Sequence, residues 1–461
     1  MDCHPSQTTV IPMLRGSATL ENLDDNEDEY IGRNSFHGAS NMEPEVGLEM
    51  STNQTVVVIG GGIWGFSTAF HLAKLGIQNV IVIEQNALPA METTPRAAGL
   101  VGQIRTSAVM CGAIQYALDL FTNFEEQTGI NPGLQRTGSL FVALNDERME
   151  AYKGQIEKAK ANGVDAGFVT HTEMQRLSPD LNVASVVGGY YVHGDGYLDP
   201  RQCALAFAAA SRDLGVTVKY STRVTGISVE NGKVCGVETT AGHIGADQVI
   251  VTAGPWTAKL GQMAGYQLPM QTIRHQRVVT VPIEGIPNHH PVLRVTDMSC
   301  YIRPEHGGYL YGYFEPNPTP IELDDQHPDF RTDDLPDAID IMNEAQQRLS
   351  DIFPILGKVA VAERIQGVTT FAPDGQYVIG PVPGVDGLHL AAGCAALGIA
   401  GSAAVGKWLA ETVVTGIVPD ALQLFNHQRF GAASSQPGWV HDASLSFYGN
   451  YYALTPGTPN R

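Results

Sequence analysis

The sequence predicts an α/β protein in which a discontinuous Rossmann-like domain is interrupted by an inserted antiparallel sheet. The stretch Thr55–Glu84 has the pattern of a strand, a glycine turn, a helix and a second strand. Another buried strand, Gln248–Val251, lies far along the chain and runs into the small-residue sequence Thr252-Ala-Gly-Pro-Trp256. After it, residues 266–363 contain short β-rich segments separated by turn residues, a pattern typical of an antiparallel sheet.

The first unit, Thr55–Glu84, carries the pattern G-x-G-x-x-G where its first strand meets its helix. Gly60 permits a tight turn, Gly62 lets backbone approach a pyrophosphate, and Gly65 lets helix and strand pack closely. The helix N-terminus favours an anion because its amide groups are unpaired, and Glu84 stands where an acid hydrogen-bonds an adenosine ribose. The unit therefore predicts a dinucleotide site. Its predicted ligand-binding residues are Gly60, Gly62, Ile63, Trp64, Gly65, Glu84 and Gln85.

The chain of 461 residues has a formal net charge of −20, which argues against nucleic acid and anionic membranes as partners. Residues 1–50 hold ten acids and two bases, a net −8, and lack hydrophobic periodicity, so we expect a disordered acidic tail. This acidity disfavours a mitochondrial transit peptide, and no apolar run reaches the roughly 18 residues of a membrane span. The six cysteines form no CxxC pair or Cys/His cluster, which indicates reduced thiols, no metal site and a cytoplasmic location.

Further stretches with small residues follow the first unit. In Arg96–Arg105 they suit a close approach of backbone to a flat ligand. The turn-rich Gly188–Pro200 opens a helix, and Gly393–Gly406 runs from a strand into the start of another. That last helix, expected over Ala404–Thr415, would point its N-terminal amide groups towards the dinucleotide.

Five stretches together resemble the FAD-dependent amine oxidoreductases of the D-amino-acid oxidase superfamily, most closely the dimethylglycine and sarcosine dehydrogenase/oxidase branch. They extend over about residues 55–430. They are Gly60–Glu84, Ala97-Ala-Gly-Leu100, Asp195-Gly-Tyr-Leu-Asp-Pro200, Thr252-Ala-Gly-Pro-Trp256, and Thr370–Gly380 with Gly393–Gly406. The resemblance implies FAD as the cofactor, with amide groups near Ala396–Ile399 stabilising negative charge at the flavin N1–C2=O edge. It adds as FAD-binding residues Arg96, Ala97, Ala98, Gly99, Leu100, Val224, Ala253, Gly254, Trp256, Ala396, Leu397, Gly398 and Ile399.

The family fold implies a discontinuous FAD-binding domain and an inserted sheet domain whose strands face the flavin. We predict that the FAD-binding domain occupies residues 51–115, 188–265 and 364–432, the substrate domain 116–187 and 266–363, and terminal tails 1–50 and 433–461.

Two shorter matches bear on catalysis. His275-Gln276 resembles the His-Gln strand of the branch, and Cys300-Tyr-Ile-Arg303 its Tyr-x-Arg strand, whose His and Tyr line the substrate pocket. Amine oxidation needs a neutral nitrogen lone pair, and a histidine with a near-neutral pKa can deprotonate or orient the amine. We therefore predict His275 and Tyr301 as catalytic, and Arg303 and Arg105 as candidates that bind a substrate carboxylate. The alternatives are a hydrogen-bonded sheet histidine and arginines in surface ion pairs.

The sequence departs from the branch at the flavin attachment point. Family members with covalent flavin place a histidine just before Ala-Ala-Gly-Leu, whereas Pro95-Arg96 stand here. Arginine cannot form a histidyl–flavin bond, so we predict non-covalent FAD.

A second departure concerns the end of the chain. Phe447–Pro456 resembles the linker that leads, in longer relatives, into a folate-binding module, and the chain stops soon after it. We expect a one-carbon product to leave as formaldehyde unless a partner captures it. We also expect the aromatic tail to wrap on the FAD-binding domain.

The leading hypothesis is an FAD-dependent oxidoreductase that oxidises the C–N bond of a secondary or tertiary, N-methylated amino acid or related amine. Hydride passes to flavin N5 and the imine is hydrolysed to an aldehyde or formaldehyde. An alternative is a non-catalytic regulatory subunit resembling that of pyruvate dehydrogenase phosphatase, which has a similar fold. A third hypothesis, an NAD(P)-linked dehydrogenase, is disfavoured by Thr252-Ala-Gly254 and Gly393–Gly406. The electron acceptor, O₂ or an electron-transfer flavoprotein, the substrate and the oligomeric state stay open.

Overall fold

The computed structural model describes residues 53–454 except Asn288 and Pro328, so the predicted disordered tail at 1–50 lies outside the described residues. Within this part, twenty strands, β1 to β20, are Thr55–Ile59, Asn79–Ile83, Leu100–Val101, Leu134–Gln135, Ser139–Ala143, Ala166–Phe168, Gly188–Val192, Gly196–Leu198, Thr217–Lys219, Val224–Glu230, Lys233–Thr239, Gly242–Gly245, Gln248–Val251, Gln271–Thr280, Val292–Val295, Cys300–Glu305, Gly308–Tyr313, Val361–Phe371, Val378–Pro381 and Leu388–Ala392. Eleven α-helices, α1 to α11, are Ile63–Lys74, Thr93–Arg96, Ala108–Thr128, Asp146–Ala161, His171–Leu177, Pro200–Asp213, Thr257–Met263, Ile339–Ser350, Ser402–Thr415, Asp420–Gln423 and Trp439–Gly449.

The first large sheet has six strands in the order β19-β20-β13-β1-β2-β9. Its central strands run parallel, with Val57 opposite both Val249 and Ile81, and β19 is an antiparallel edge. Val56 and Val58 pack with residues of α1, α3, α6 and α9 on one face, and Val57 packs with β10 and β11 on the other. This two-sided burial explains why β1 is a continuous apolar run. The carboxyl ends of β1 and β13 meet at one edge of this sheet.

The second large sheet has eight strands in the order β18-β14-β17-β16-β15-β5-β7-β6. Neighbouring strands are antiparallel except β15 and β5, which pair in parallel. One face packs under α8 in a core that includes Tyr309, Tyr311 and Phe353. The two sheets together confirm the predicted α/β class with a Rossmann-like sheet and an added, largely antiparallel one.

Two predicted domain boundaries fall at or inside strands of the second sheet. The boundary at 187/188 coincides with the start of β7, which pairs with β5. The boundary at 363/364 falls inside β18, which pairs with β14 along its length. Both strands belong to the eight-stranded sheet, so these boundaries do not separate the two sheets cleanly.

The C-terminal segment packs both on the eight-stranded sheet and on residues of a segment predicted to belong to the FAD-binding domain. Helix α11 packs against β14 and β18. Phe371 of β18, which Phe447 and Tyr448 contact, lies in the segment 364–432 that we assigned to the FAD-binding domain. Tyr448 is fully buried, and Tyr451 stacks on Phe314 with ring centroids 4.2 Å apart. Aromatic side chains bury most area where they meet other aromatic side chains, and this sheet face offers Phe314 and Phe371.

Candidate active site

A cavity of about 490 Å³ lies between the carboxyl ends of β1 and β13 and one face of the eight-stranded sheet. This volume is within the roughly 300–1,000 Å³ typical of ligand pockets. All the predicted cofactor-binding residues line it except Gly65, and so do His275, Tyr301 and Arg105. Arg303 is absent from the lining. The structure thus brings together residues that lie more than 300 positions apart in the sequence.

The glycine turn after β1 leaves no room for side chains. Gly60 has a φ of +109°, and a Cβ there would lie 2.7 Å from the Thr252 carbonyl oxygen. A Cβ on Gly65 would lie 1.9 Å from the Gly60 carbonyl oxygen, so Gly65 supports the turn by packing, without lining the cavity. Gly62 is the N-cap of α1 and forms no side-chain cap. The Ile63 amide donates to the Thr94 hydroxyl at 3.2 Å. The amides of Gly62 and Trp64 have no acceptor among the described residues, so they are the groups at the start of α1 that remain available to a ligand.

Glu84 directly follows β2 and is 8% exposed. Its Oε2 accepts from the Gly61 amide at 2.7 Å and its Oε1 from the Asn86 amide at 2.7 Å. Burial raises the pKa of this carboxyl, while the two amide donors oppose that shift. Each carboxylate oxygen keeps a further lone pair, so Glu84 can still accept a hydrogen bond from a hydroxyl group in the cavity.

A turn that precedes α9 forms the opposite wall. The helix expected over Ala404–Thr415 is α9, which begins at Ser402. Ala396–Ile399 belong to the turn just before it, where Ala396 has a φ of +58°. The amides of Gly398 and Ile399 have no protein acceptor among the described residues. Both residues line the cavity, so these N–H groups are available to an electron-rich ligand atom.

Arg96 lies at the end of α2, directly before the Ala97–Leu100 stretch. Its Nη2 forms an ion pair with Asp333 at 2.8 Å and its Nη1 donates to the Gln366 carbonyl at 3.2 Å. These contacts fix the guanidinium at the cavity wall.

The catalytic candidates share one face of the eight-stranded sheet. Gly312, Tyr301, Arg294 and Phe141 are successive cross-strand neighbours on β17, β16, β15 and β5, and neighbours of this kind share a face. A Cβ on Gly312 would lie 2.1 Å from the Tyr301 hydroxyl oxygen. The missing side chain at Gly312 therefore lets the Tyr301 ring lie across the sheet towards His275.

A chain of hydrogen bonds connects His275 with groups on both sides. Its Nε2 lies 3.0 Å from the Tyr301 hydroxyl and its Nδ1 lies 2.7 Å from the Tyr448 hydroxyl. Tyr448 in turn donates to Glu315 Oε2 at 2.8 Å. Removal from bulk water lowers the pKa of His275 to about 4 and raises the pKa of Tyr301. The near-neutral pKa expected for His275 is therefore wrong, because that expectation ignored burial.

The predicted arginines have different surroundings. Arg105 lines the cavity, donates from Nη1 to the Ile104 carbonyl at 2.7 Å, and has a buried Nε without a partner among the described residues. Arg303 is fully buried, donates to the Ala98 carbonyl at 2.6 Å and stacks over the Tyr197 ring. The structure therefore places Arg303 in a supporting position behind the cavity wall.

Sequence reasoning missed several residues of this site. Arg294 lines the cavity at 9% exposure, donates to the Tyr452 hydroxyl at 3.0 Å, and has an Nε without a partner in the described part of the chain. A signal was present, since an arginine inside the apolar strand Val292–Val295 is unusual. Tyr451 and Tyr452 also line the cavity. Their role had no local signal, because it depends on where α11 packs.

The residues of the two cavity walls, at the start of α1 and in the turn before α9, fit FAD. Bare amides at the start of α1 suit a pyrophosphate, the spare acceptor capacity of Glu84 suits a ribose, and the unpaired amides of Gly398 and Ile399 suit an electron-rich ring edge. A protein-family comparison gives the same answer, because the model described as "FAD dependent oxidoreductase" (DAO) matches residues 55–412. The chain belongs to the FAD-dependent oxidoreductase family. FAD is the cofactor of this family, and the recognised resemblance is confirmed.

Individual relatives agree with this assignment. Mitochondrial sarcosine dehydrogenase of Homo sapiens is 31% identical over 412 residues, which are 88% of this chain and 44% of that protein. The mitochondrial pyruvate dehydrogenase phosphatase regulatory subunit of Mus musculus is 31% identical over 391 residues, 84% of this chain and 44% of that protein. The chain thus spans less than half the length of these curated relatives. The crystal structure of L-proline dehydrogenase from P. horikoshii matches with a TM-score of 0.74 at 26% identity, covering 82% of this chain and 98% of that one.

Within 53–454, apart from the two gaps, no helix is both long and apolar enough to cross a membrane. In that same range no group of three or more His, Cys, Asp or Glu side chains is arranged to hold a metal ion, and the five cysteines there are free thiols.

Proposed function

We propose that this protein oxidises the C–N bond of an N-methylated secondary or tertiary amino acid, or a related amine, to an imine that water hydrolyses to an aldehyde or formaldehyde. The observation that most strongly supports this proposal is the hydrogen bond between His275 and Tyr301 in a cavity that Arg105 and Arg294 also line. Family membership supports an oxidoreductase, and sarcosine, named in one relative, is an N-methyl amino acid. Bound FAD would supply the acceptor for hydride from the carbon next to nitrogen.

His275 and Tyr301 act on the amine. Because burial keeps Tyr301 protonated and His275 neutral at physiological pH, Tyr301 can donate to His275 while its oxygen lone pair accepts a hydrogen bond from the substrate nitrogen. Such a contact orients the amine and draws a proton from it, which exposes the lone pair that oxidation needs.

Arg105 and Arg294 act on the anionic end of the substrate. Both line the cavity, and each has a buried Nε without a protein partner among the described residues. A substrate carboxylate would satisfy these donors by charge-assisted hydrogen bonds. The substrate we propose is therefore an amine that carries a carboxylate.

We also propose that FAD is bound non-covalently, because Arg96 replaces the histidine that covalent attachment needs. Arg96 stands where covalent relatives have the attachment histidine, and its side chain is held by Asp333 and Gln366 at the cavity wall. We expect acid precipitation of the FAD-loaded protein to leave a colourless pellet and a yellow supernatant. A pellet that stays yellow would contradict this prediction.

A non-catalytic regulatory subunit is the competing hypothesis, since one such subunit is 31% identical to this chain. The intact contacts of His275 with Tyr301 and Tyr448 favour an enzyme. Oxidation to free formaldehyde, O₂ or an electron-transfer flavoprotein as acceptor, and a cytoplasmic location all stay predictions of the sequence.

The decisive experiment is anaerobic mixing of the FAD-loaded protein with sarcosine, dimethylglycine, betaine and D-alanine in separate reactions. We expect sarcosine or dimethylglycine to bleach the visible flavin absorbance and to yield formaldehyde. His275→Asn and Tyr301→Phe should each slow bleaching by about 10²-fold or more, as expected for loss of acid–base catalysis. A protein that binds FAD but is bleached by no amine would support the regulatory subunit instead.

A further inference from the structure

Glu315 is a buried acid that the proposed function has not used. It follows β17 by two residues, is 4% exposed, and its Oε1 has no hydrogen-bond partner among the described residues. Oε2 accepts from the Tyr448 hydroxyl at 2.8 Å. Against burial, which raises the pKa of the Glu315 carboxyl, the charge of Arg274 lowers that pKa. The Nη2 group of Arg274, however, donates its hydrogen bond to the Thr319 hydroxyl. A buried carboxylate without a cation in hydrogen-bond contact is costly to keep ionised.

The direction of the hydrogen bonds follows from Glu315. An ionised carboxylate only accepts, so Tyr448 must donate to it. The Tyr448 oxygen is then free to accept from His275 Nδ1–H, and His275 Nε2 becomes the acceptor for the Tyr301 O–H. The remaining lone pair of Tyr301 is available to the cavity that this residue lines. The four groups therefore form one directed chain from the cavity to Glu315.

We propose that Glu315 is the final acceptor of the proton that the substrate ammonium loses before oxidation, and that Tyr301, His275 and Tyr448 relay it. This inference rests on the proposed amine oxidation.

In the relay four protons move, each from the donor to the acceptor of one hydrogen bond. The substrate N–H proton goes to Tyr301 Oη, the Tyr301 proton to His275 Nε2, the Nδ1 proton of His275 to Tyr448 Oη, and the Tyr448 proton to Glu315 Oε2. The substrate loses one proton and Glu315 gains one, while both tyrosines stay neutral and His275 changes tautomer. No imidazolium forms, which agrees with the pKa of His275 of about 4.

Other ionisable groups around the relay are few. Arg274 on β14 favours the ionised form of Glu315, and Glu344 on α8 disfavours it. The charged or titratable groups that act on Tyr301 are Arg277, Arg294, Arg303 and Tyr452. Burial raises the pKa of Glu315, so its carboxylate is a better proton acceptor than an exposed one.

Neither Glu315 nor Tyr448 lines the cavity, so both act through His275 as positioning residues. Tyr448 is held in place because it is fully buried and packs edge-on against Phe371 at 5.4 Å. Tyr448 lies 36 positions beyond the end of the family match at residue 412. A segment outside the matched region therefore completes the proton path.

The test is the pH dependence of anaerobic flavin reduction in Glu315→Gln and Tyr448→Phe. Without the relay only the free amine reacts, and an alkyl ammonium has a pKa of about 10. We expect each variant to lose about 10²–10³-fold in rate at pH 7 and to regain it about tenfold per pH unit on going to pH 10. Glu315→Asp should restore much of the rate at pH 7. Tyr309→Phe removes a similar tyrosine–carboxylate bond, to Asp180, in the core of the opposite face, and should keep the wild-type profile.

The possible results distinguish a failure of the proton relay from a failure of the proposed amine oxidation. A rate that falls equally at every pH would show a purely structural role and would overturn the relay. Bleaching by no amine at any pH, even in the wild type, would overturn the proposed function instead. Because Glu315→Gln could fail to fold, flavin retention and thermal melting are measured for every variant. Tyr448→Phe, which only removes an oxygen atom, gives a second test of the relay.

Discussion

At the scale of single residues, glycine and arginine at neighbouring positions of one sheet face decide what the cavity can bind. Gly312 makes room for the Tyr301 ring, because any Cβ there would come within 2.1 Å of the tyrosine hydroxyl. Arg294, the cross-strand neighbour of Tyr301, puts a guanidinium on the same face of the sheet, where it also lines the cavity. The amine and the carboxylate of one small substrate can therefore be held by adjacent strands.

Gly312→Ala tests the placement of Tyr301. We expect the methyl group to displace the ring, to break its hydrogen bond to His275, to lower kcat by about 10²-fold, and to destabilise the fold by about 1–3 kcal/mol through overpacking. Steady-state kinetics and urea unfolding measure the two effects. Gly167→Ala, in β6 of the same sheet with nothing within 4 Å of its Cβ, is the matched control and should leave kcat unchanged. Equal kcat in the two variants would contradict the role given to Gly312.

Arg294→Gln tests carboxylate binding. Loss of a charge-assisted hydrogen bond should cost about 1.5–3 kcal/mol, a rise in KM of about 10–150-fold for sarcosine. Sarcosinamide, which lacks the negative charge, should show little change, so the ratio of kcat/KM values for the two compounds is the measurement. Arg176→Gln on the exposed face of α5 is the control. A ratio that does not change in Arg294→Gln would rule out its role in carboxylate recognition.

At the scale of elements, the cofactor wall depends on how closely α1 and α9 approach. The contact is made by Gly406 of α9, where a Cβ would lie 2.3 Å from Ser67 Oγ and 2.7 Å from the Ser67 carbonyl oxygen of α1. The absence of a side chain at Gly406 permits this close approach of α9 to α1. The start of each helix, or the turn before it, lines the cavity, so any separation of the helices would move both cofactor contacts.

Gly406→Ala tests this helix contact. In an open helix the change from glycine to alanine stabilises by about 0.5–1 kcal/mol, but at Gly406 we expect destabilisation by about 1–3 kcal/mol from overpacking, together with weaker FAD retention. Gly154 lies in α4, and a Cβ placed on it would have nothing within 4 Å. Gly154→Ala should therefore raise the free energy of unfolding. Thermal melting and gel filtration followed by flavin absorbance measure both effects. Stabilisation of Gly406→Ala would show that the helices can separate without cost.

At the scale of the whole molecule, burial keeps histidines neutral in several separate parts of the fold. Burial lowers the pKa to about 4 at His71, His275, His290, His389 and His427. The unfolded chain has histidine pKa values of about 6.5. Below that pH the unfolded state binds protons that the folded state does not bind. The stability from these residues is therefore complete above about pH 6.5 and is lost as the pH falls towards 4.

We expect the free energy of unfolding to fall between pH 7 and pH 5, by up to about 1.4 kcal/mol per pH unit for each such histidine once its unfolded form is protonated. Urea unfolding at half-unit pH steps measures the slope. Buried carboxyls such as Glu84 have raised pKa values and act in the opposite direction, so a single-histidine variant is needed to isolate the effect. His389→Gln should reduce the slope by the contribution of one proton. An unchanged slope in this variant would contradict the assignment.

The sequence by itself determined the cofactor half of the site. Each of its motifs is a contiguous piece of backbone, and a glycine turn such as Gly60–Gly65 has one local geometry that the residues themselves dictate. The same holds for the α/β class, which follows from the period of the apolar residues. His275 and Tyr301 could be selected because they lie in short, recognisable strand patterns.

Only the tertiary structure decided the surroundings of those two residues. Tyr448 reaches His275 across 173 positions of sequence, and Tyr452 reaches Arg294 across 158. No local pattern predicts such contacts, because they depend on the packing of α11 on the sheet. The lowered pKa of His275 and the buried position of Arg303 have the same origin. Local chemistry selects which residues can act, whereas burial and distant partners decide their protonation and direction.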